Sequence, residues 1–281
     1  MNIKITSDST CDLNKDILDR FNVSVVPLNV VMGNESFVDG VSVTPEDIFA
    51  FVEREKQLPK TAAPSVNAYE DFFETLLKSY DHIIHYSLSS KISSSYDNAC
   101  LAAKRFEKRV TVVDSLALCS GQGLLVLTAC DLVADGRTPE EIVDITSAIR
   151  EDVVVTFVPD SLDYLHKGGR CSLASLIGAT VLKLHPLIAM RDGDMFVKKK
   201  YMGNLDACIK KYVADLAQTY PLYKKERAII TTARLDDPLK ERFIQAVKDT
   251  FDFEEILFCD AGSTITSHCG KNTFALFFIK K

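Results

Sequence analysis

No apolar run in the 281-residue chain approaches the ~18 residues that a membrane-crossing helix requires, so no membrane span is expected. The eight cysteines (Cys11, Cys100, Cys119, Cys130, Cys171, Cys208, Cys259 and Cys269) form no C-x-x-C pair. Most of them sit inside apolar runs, which reads as reduced, buried thiols and argues against a disulfide framework or a zinc site. Basic excess is also missing. The net charge is −6, and the short runs Lys198-Lys199-Lys200 and Lys224-Lys225 read as solvated surface, so a dedicated nucleic-acid binder is not expected. There is no G-x-x-x-x-G-K-[ST] phosphate loop and no G-x-S-x-G nucleophile elbow. Gly121-x-Gly123 is not a dinucleotide fingerprint. Val126 stands where the third glycine belongs, and several residues separate the pair from the preceding strand, so packing is the expected role. Internal repeats and low-complexity segments are absent. The opening MNIKITSDST enters a strand at once, without a signal-peptide layout, and a cytoplasmic protein is the expectation.

What remains is an ordinary globular composition, 47% hydrophobic and 26% charged, in a chain long enough for two domains. In the first half, apolar β-forming runs alternate with helical spacing. Ile3–Thr6, the run around Gly33-Asn34, HIIHYS and RVTVVDS read as strands. Helices are expected over Leu13–Phe21, from Thr44 to before Pro59, and over Val66–Tyr80, Asn98–Phe106, Gly123–Ala134 and Pro139–Arg150. Thr44 is the expected N-cap of the second, with Asp47 completing a capping box. This alternation predicts a parallel α/β sheet, whose ligands gather at the carboxyl ends of strands. Those ends read SDST, YSLSS and VDS, all polar and hydroxyl-bearing.

The second half predicts a mixed sheet covered on one face. DVVVTFVP is one strand, followed by a short helix over Ser161–His166. Asp192-Gly193 marks a hairpin. Helices Leu205–Tyr220 and Pro238–Thr250 separate the strands ERAIITTA, EEILFCD and TFALFFIK. The boundary between the halves falls near residues 150–160.

Four places carry possible chemistry. In YLHKGGRCSL two glycines free the backbone beside Arg170, whose planar fork suits a carboxylate or phosphate, and Ser172 is a candidate helix cap. The serine run Ser87–Ser95 precedes a helix, so Ser93 and nearby N–H groups can face an anion. Thr61 and Ser65 of TAAPS read equally well as turn hydroxyls. His268 lies among small polar residues before the last strand and can donate to an anion or act as acid or base. His82 and His85 fall on opposite faces of a strand and make no metal pair.

Taken in order, ITSDSTCDL, VVPLNV, TAAPS, KISSSYDNA, VVDS, LDYLHKGGR, KLHPLIAMRDG and SHCGKNTFALFF resemble the DegV family of bacterial fatty-acid-binding proteins, the acyl-carrying FakB partners of a fatty acid kinase. The match runs from residue 3 to residue 278. The resemblance implies an α/β fold of two domains: a three-layer N-terminal domain with a parallel sheet (1–155) and a two-layer C-terminal domain with a mixed sheet (156–281). It implies a long-chain fatty acid between them and no cofactor. It assigns the carboxylate to Thr61, Ser93, Arg170 and His268, with Asp8, Ser9, Ser65, Ser94 and Ser95 as secondary candidates. It implies a kinase subunit as partner and transient contact with a membrane surface.

Three departures from the family pattern stand out. Ser94 replaces a glycine of the serine loop. Lys200-Tyr201 stands where many members carry an arginine linked to the kinase. Lys271-Asn272 replaces a Pro-Gly pair after His268.

The energetics suit a fatty acid. A buried carboxylate is costly unless paired, and charge-assisted hydrogen bonds of roughly 1.5–3 kcal/mol each offset that. About ten buried methylenes contribute a gross ~8 kcal/mol, part of which association entropy takes back. Two other readings remain open. One is a hydrolase or transferase with Ser93 as nucleophile, His268 as base and Asp8 as orienter. The other is a small-anion sensor or interaction module without a lipid tunnel.

Overall fold

The computed structural model describes residues 1–170 and 184–281. Cys171 and the expected cap Ser172 lie outside the described residues. Strand β1 (Ile3–Asp8) pairs in parallel with β2 (Ser24–Val26), Thr6 opposite Ser24. A small antiparallel sheet follows, in which β3 (Asn29–Met32) lies between β4 (Glu35–Val38) and β5 (Lys60–Ala62). Between β4 and β5, helix Pro45–Glu55 starts at the expected capping box. Thr44 Oγ1 accepts from Asp47 N at 3.3 Å, and the Asp47 carboxylate accepts from Thr44 N at 2.8 Å. Strands β6 (His82–Ser87) and β7 (Val110–Asp114) complete the first sheet, all parallel, in the order β2-β1-β6-β7.

Side chains of successive strand residues leave on opposite faces. Ile83 therefore joins Tyr69, Phe73, Ala99 and Ala102 of helices Val66–Leu76 and Ser95–Ala103 on one side. Ile84 joins Leu124, Leu125 and Ile142 of helices Cys119–Ala134 and Pro139–Ile149 on the other. The result is the expected three-layer arrangement.

The second half builds a seven-stranded mixed sheet. Strands β8 (Val153–Val154) and β9 (Thr156–Val158) both pair with the last strand, β14 (Thr273–Ile279). The hairpin β10 (Leu184–Arg191) and β11 (Asp194–Met202) turns at Asp192 and Gly193, both at positive φ, as Asp-Gly predicts. Strands β12 (Arg227–Ala233), β13 (Glu255–Asp260) and β14 (Thr273–Ile279) finish the order β11-β10-β9-β14-β12-β13, in which only β12 and β13 run parallel. Helices Leu205–Thr219 and Asp237–Thr250 cover one face through Tyr212, Phe243, Phe274 and Phe278.

The other face, with Phe157, Ile188, Ile229, Ala275 and Phe277, shares a core with helix Cys119–Ala134. That helix is thus held between the two large sheets, and ten of its residues are buried. Burial on several sides explains why Leu124, Leu125, Val126 and Leu127 follow one another with no polar face between them. Gly121 and Gly123 do serve packing. A Cβ on Gly121 would stand 2.7 Å from a Val155 methyl, and one on Gly123 would stand 2.9 Å from both the Cys11 carbonyl and a Leu13 methyl. Gly123→Ala should therefore destabilise by about 1–3 kcal/mol, although alanine favours helices by ~1 kcal/mol. Urea unfolding that finds the variant as stable as the parent contradicts this packing account.

Three expectations need correction. DVVVTFVP is broken at Val155 into β8 and β9. TAAPS is not wholly a loop, because Thr61 lies in β5. The segment before β14 contains a helix, Ser263–Cys269, that residue spacing does not reveal. Several helix ends also shift: Val66–Tyr80 stops at Leu76, and the helix expected from Gly123 starts at Cys119.

Candidate functional site

The polar strand ends of the first sheet mostly tie loops together. Asp8, at the end of β1, is fully buried. Its carboxylate accepts from Tyr69 Oη at 2.5 Å, His85 Nε2 at 3.2 Å, Ser87 Oγ at 2.8 Å and the Leu88 backbone N at 2.8 Å. Asp114, at the end of β7, accepts from the Ser90 and Leu116 backbone N–H groups. Ser89 Oγ donates to the Gly193 carbonyl at the β10–β11 turn, at 2.9 Å. Ser93 follows in this pinned loop. Its Oγ accepts from Ser95 N at 3.2 Å and lies 2.9 Å from Ser95 Oγ.

Beside this loop is a cavity of about 360 Å³. Apolar residues from both halves line most of it, among them Leu28, Leu88, Leu118, Phe157, Leu165 and Phe277. Thr61, Ser93, Ser94, Arg170 and His268 line it as well. Three of them, Thr61, Arg170 and His268, also line a wider basin of about 1230 Å³. These three therefore form the junction between an apolar interior and a polar mouth. The basin carries six cationic side chains, Lys56, Lys60, Lys167, Arg170, Arg234 and Lys271, against the acids Glu53, Asp163 and Asp236.

His268 stands on helix Ser263–Cys269, with Nε2 2.7 Å from Thr61 Oγ1. Its Nδ1 has no hydrogen-bond partner among the described residues. Gly168 leaves room for the ring, since a Cβ there would come within 2.5 Å of Nδ1. The Arg170 guanidinium donates to the Gly168 carbonyl at 2.8 Å, which folds the arginine back toward the same place. Gly169, between them, has a φ of 71°. Desolvation, aided by the Arg170 charge, pushes the His268 imidazole down to about 4, so it is neutral near pH 7.

That depression has a consequence for stability. The folded pKa lies below the unfolded value of 6.5, so the unfolded state takes up the proton first as pH falls. His268 costs nothing above pH 6.5, and the penalty grows to roughly 3 kcal/mol as pH approaches 4. Urea unfolding at pH 7 and pH 4.5 should show the wild type losing more stability between them than His268→Gln. Identical losses in both proteins contradict the assignment.

The remaining expected residues fall elsewhere. Ser95 is buried behind Ser93. Ser65 caps helix Val66–Leu76 by accepting from Ala68 N at 3.2 Å. Ser9 Oγ donates to Asp39 and accepts from Leu28 N. None of Asp8, Ser9, Ser65 and Ser95 lines the cavity. Asp8 is committed to Tyr69, His85, Ser87 and Leu88, and His268 Nε2 is bonded to a hydroxyl. The Ser93–His268–Asp8 triad is therefore not assembled. Sequence reasoning missed the wall residues Cys119, Thr231, Thr264, Cys269 and Ala275. Period-two alternation along β14 signals Ala275 and Phe277 as one face.

A family model described as "Uncharacterised protein, DegV family" matches residues 2–281. The chain belongs to the DegV family. A DegV domain-containing protein of Clostridium acetobutylicum is 32% identical over 280 residues, covering 99% of each chain. Among solved structures, a DegV-family protein from Thermus thermophilus, described by its fatty acid binding, superposes with a TM-score of 0.92 at 28% identity over 100% of both chains. DegV from Bacillus subtilis, described as a fatty acid binding protein, superposes at 0.85 with 25% identity over 100% of both. These DegV neighbours share the arrangement of parallel and mixed sheets described above. No helix among the described residues of this DegV-family chain is long and apolar enough to cross a membrane.

Proposed function

We propose that this chain binds a long-chain fatty acid between an N-terminal domain (1–155) and a C-terminal domain (156–281). The tail occupies the 360 Å³ cavity, and the carboxylate meets Thr61, Ser93, Arg170 and His268 at its mouth. The observation that carries this reading is the junction itself. An apolar chamber opens where a guanidinium, a hydroxyl and a neutral imidazole line its junction with the basin, and Ser93 lies on the same cavity wall. An ionised carboxylate there gains charge-assisted hydrogen bonds that offset its desolvation. His268 Nδ1, buried without a hydrogen-bond partner among the described residues, adds a donor in the tautomer that protonates it.

The chain is then a carrier, and a separate kinase supplies the catalysis. The cationic basin outside the junction suits an acid about to become an acyl phosphate, because it favours growing negative charge. The motif resemblance supports the same partnership, with Lys200-Tyr201 as its departure. Tyr201 is buried and its hydroxyl donates to Asp215 at 2.9 Å, whereas Lys200 is exposed on β11. The carrier works in the cytoplasm and touches membrane surfaces transiently to load.

The test is a thermal-shift series of saturated acids of increasing length, with the matching methyl esters. Stabilisation should rise with each added methylene until the cavity is full, and the esters should give much less. Stabilisation that is flat with length favours a small-anion sensor. Turnover of ester substrates that depends on Ser93 favours a hydrolase.

A further inference from the structure

Among the described residues, four buried side-chain polar atoms lack a hydrogen-bond partner: Asp12 Oδ2, His185 Nδ1, Thr264 Oγ1 and His268 Nδ1. Only the last two belong to residues lining the cavity. His268 is at the mouth, shared with the basin. Thr264 lines the inner cavity alone and is 3% exposed.

An orphaned buried hydroxyl is costly, by about 1–3 kcal/mol. Other helical threonines of this chain avoid the cost by donating back to a carbonyl. Thr128 donates to Leu124, Thr146 to Ile142 and Thr266 to Ala261. Thr264, in the first turn of its helix, makes no such bond. The other threonine hydroxyls on the cavity wall away from the mouth are also engaged: Thr231 with Ser120 at 2.7 Å, Thr232 with Asp260 at 3.4 Å, and Thr273 with the Cys269 carbonyl at 3.0 Å. An apolar tail passing Thr264 would leave its hydroxyl unpaired, and a valine would serve such a tail better.

Thr264 and His268 are four residues apart on one helix, so they share a face, with a rise between them of roughly 6 Å. An extended hydrocarbon covers that distance in about five carbon–carbon bonds. We propose that the cavity selects acids carrying a hydroxyl on an early carbon of the chain, and that Thr264 Oγ1 is the partner of that hydroxyl. The inference rests on the fatty-acid reading above and adds the class of acid. The ligand is a hydroxylated long-chain acid, with its oxygen near the carboxylate end.

Competitive displacement of a fluorescent fatty acid tests this with palmitate, 6-hydroxypalmitate and ω-hydroxypalmitate on wild type, Thr264→Val and Thr264→Ser. One net hydrogen bond predicts that wild type prefers the 6-hydroxy acid to palmitate by roughly 2- to 10-fold. Thr264→Val should remove that preference, Thr264→Ser should keep part of it, and the ω-hydroxy acid should gain nothing. Palmitate binding with an equal 6-hydroxy to palmitate ratio in wild type and Thr264→Val overturns this inference and leaves the fatty-acid reading intact. Failure of all three acids to bind wild type overturns both.

Discussion

Ala275→Phe is expected to weaken fatty-acid binding by more than about 100-fold while the protein still folds. Ala275 is in β14, with Phe157 opposite it in β9 and Phe277 two residues on, and all three line the cavity. A phenyl ring grown from this Cβ enters space meant for the tail. At ~0.8 kcal/mol per buried methylene, excluding about four of them removes roughly 3 kcal/mol, which is the predicted loss. In a filled core the same change costs about 1–3 kcal/mol through overpacking. Here the ring occupies a chamber, so the loss of stability should fall at the low end or below. Two measurements are needed together, calorimetric titration with palmitate and a urea melt. Unchanged affinity in a folded variant means that the tail does not lie against β14. A collapsed melt means that the space beside Ala275 is not a chamber.

The contrast between Ala275 and Thr264 shows what residue spacing can and cannot reveal. Ala275 is legible, because strands alternate and β14 is a long β-forming run. The capping box at Thr44 and the Asp192-Gly193 hairpin are legible for the same reason: each is fixed by a few adjacent residues. Helix Ser263–Cys269 is different. Its STITS core is β-branched and hydroxyl-rich, with weak helix propensity. Its start is held by distant residues, Asp12 accepting from Gly262 N at 3.0 Å and Asp39 accepting from Ser263 N at 2.9 Å. Those carboxylates are 250 and 224 residues away in the chain, so no local pattern reports them. His268 was found through a motif, and its Thr264 neighbour was not, because only the helix puts them on one face. Helix Cys119–Ala134 was half legible. Gly121 and Gly123 lower its apparent propensity, and the reason for them, close approach of Val155 and Cys11, is tertiary.

The largest stability effect should come from Asp8, outside the cavity. Asp8→Ala is expected to cost about 3–5 kcal/mol, a large share of the 5–15 kcal/mol typical of a domain. A carboxylate only accepts, so His85 Nε2 carries a proton on that side, and His85 Nδ1 lies 3.0 Å from Thr6 Oγ1. Removing the carboxylate strands the Tyr69 hydroxyl, the His85 N–H, the Ser87 hydroxyl and the Leu88 amide together, all in a region closed to water. Asp8→Asn should recover little, because its amide nitrogen points a donor at donors. The damage should also spread to the site. Ser87 and Leu88 begin the loop that presents Ser93, so the variant should bind fatty acid more weakly at temperatures where it is still folded. Urea unfolding of both variants, followed by palmitate titration well below the melt, measures the two effects separately. A stability loss under about 1 kcal/mol would show that water reaches the Asp8 site. Full affinity in a destabilised variant would show that Ser93 is positioned without Asp8.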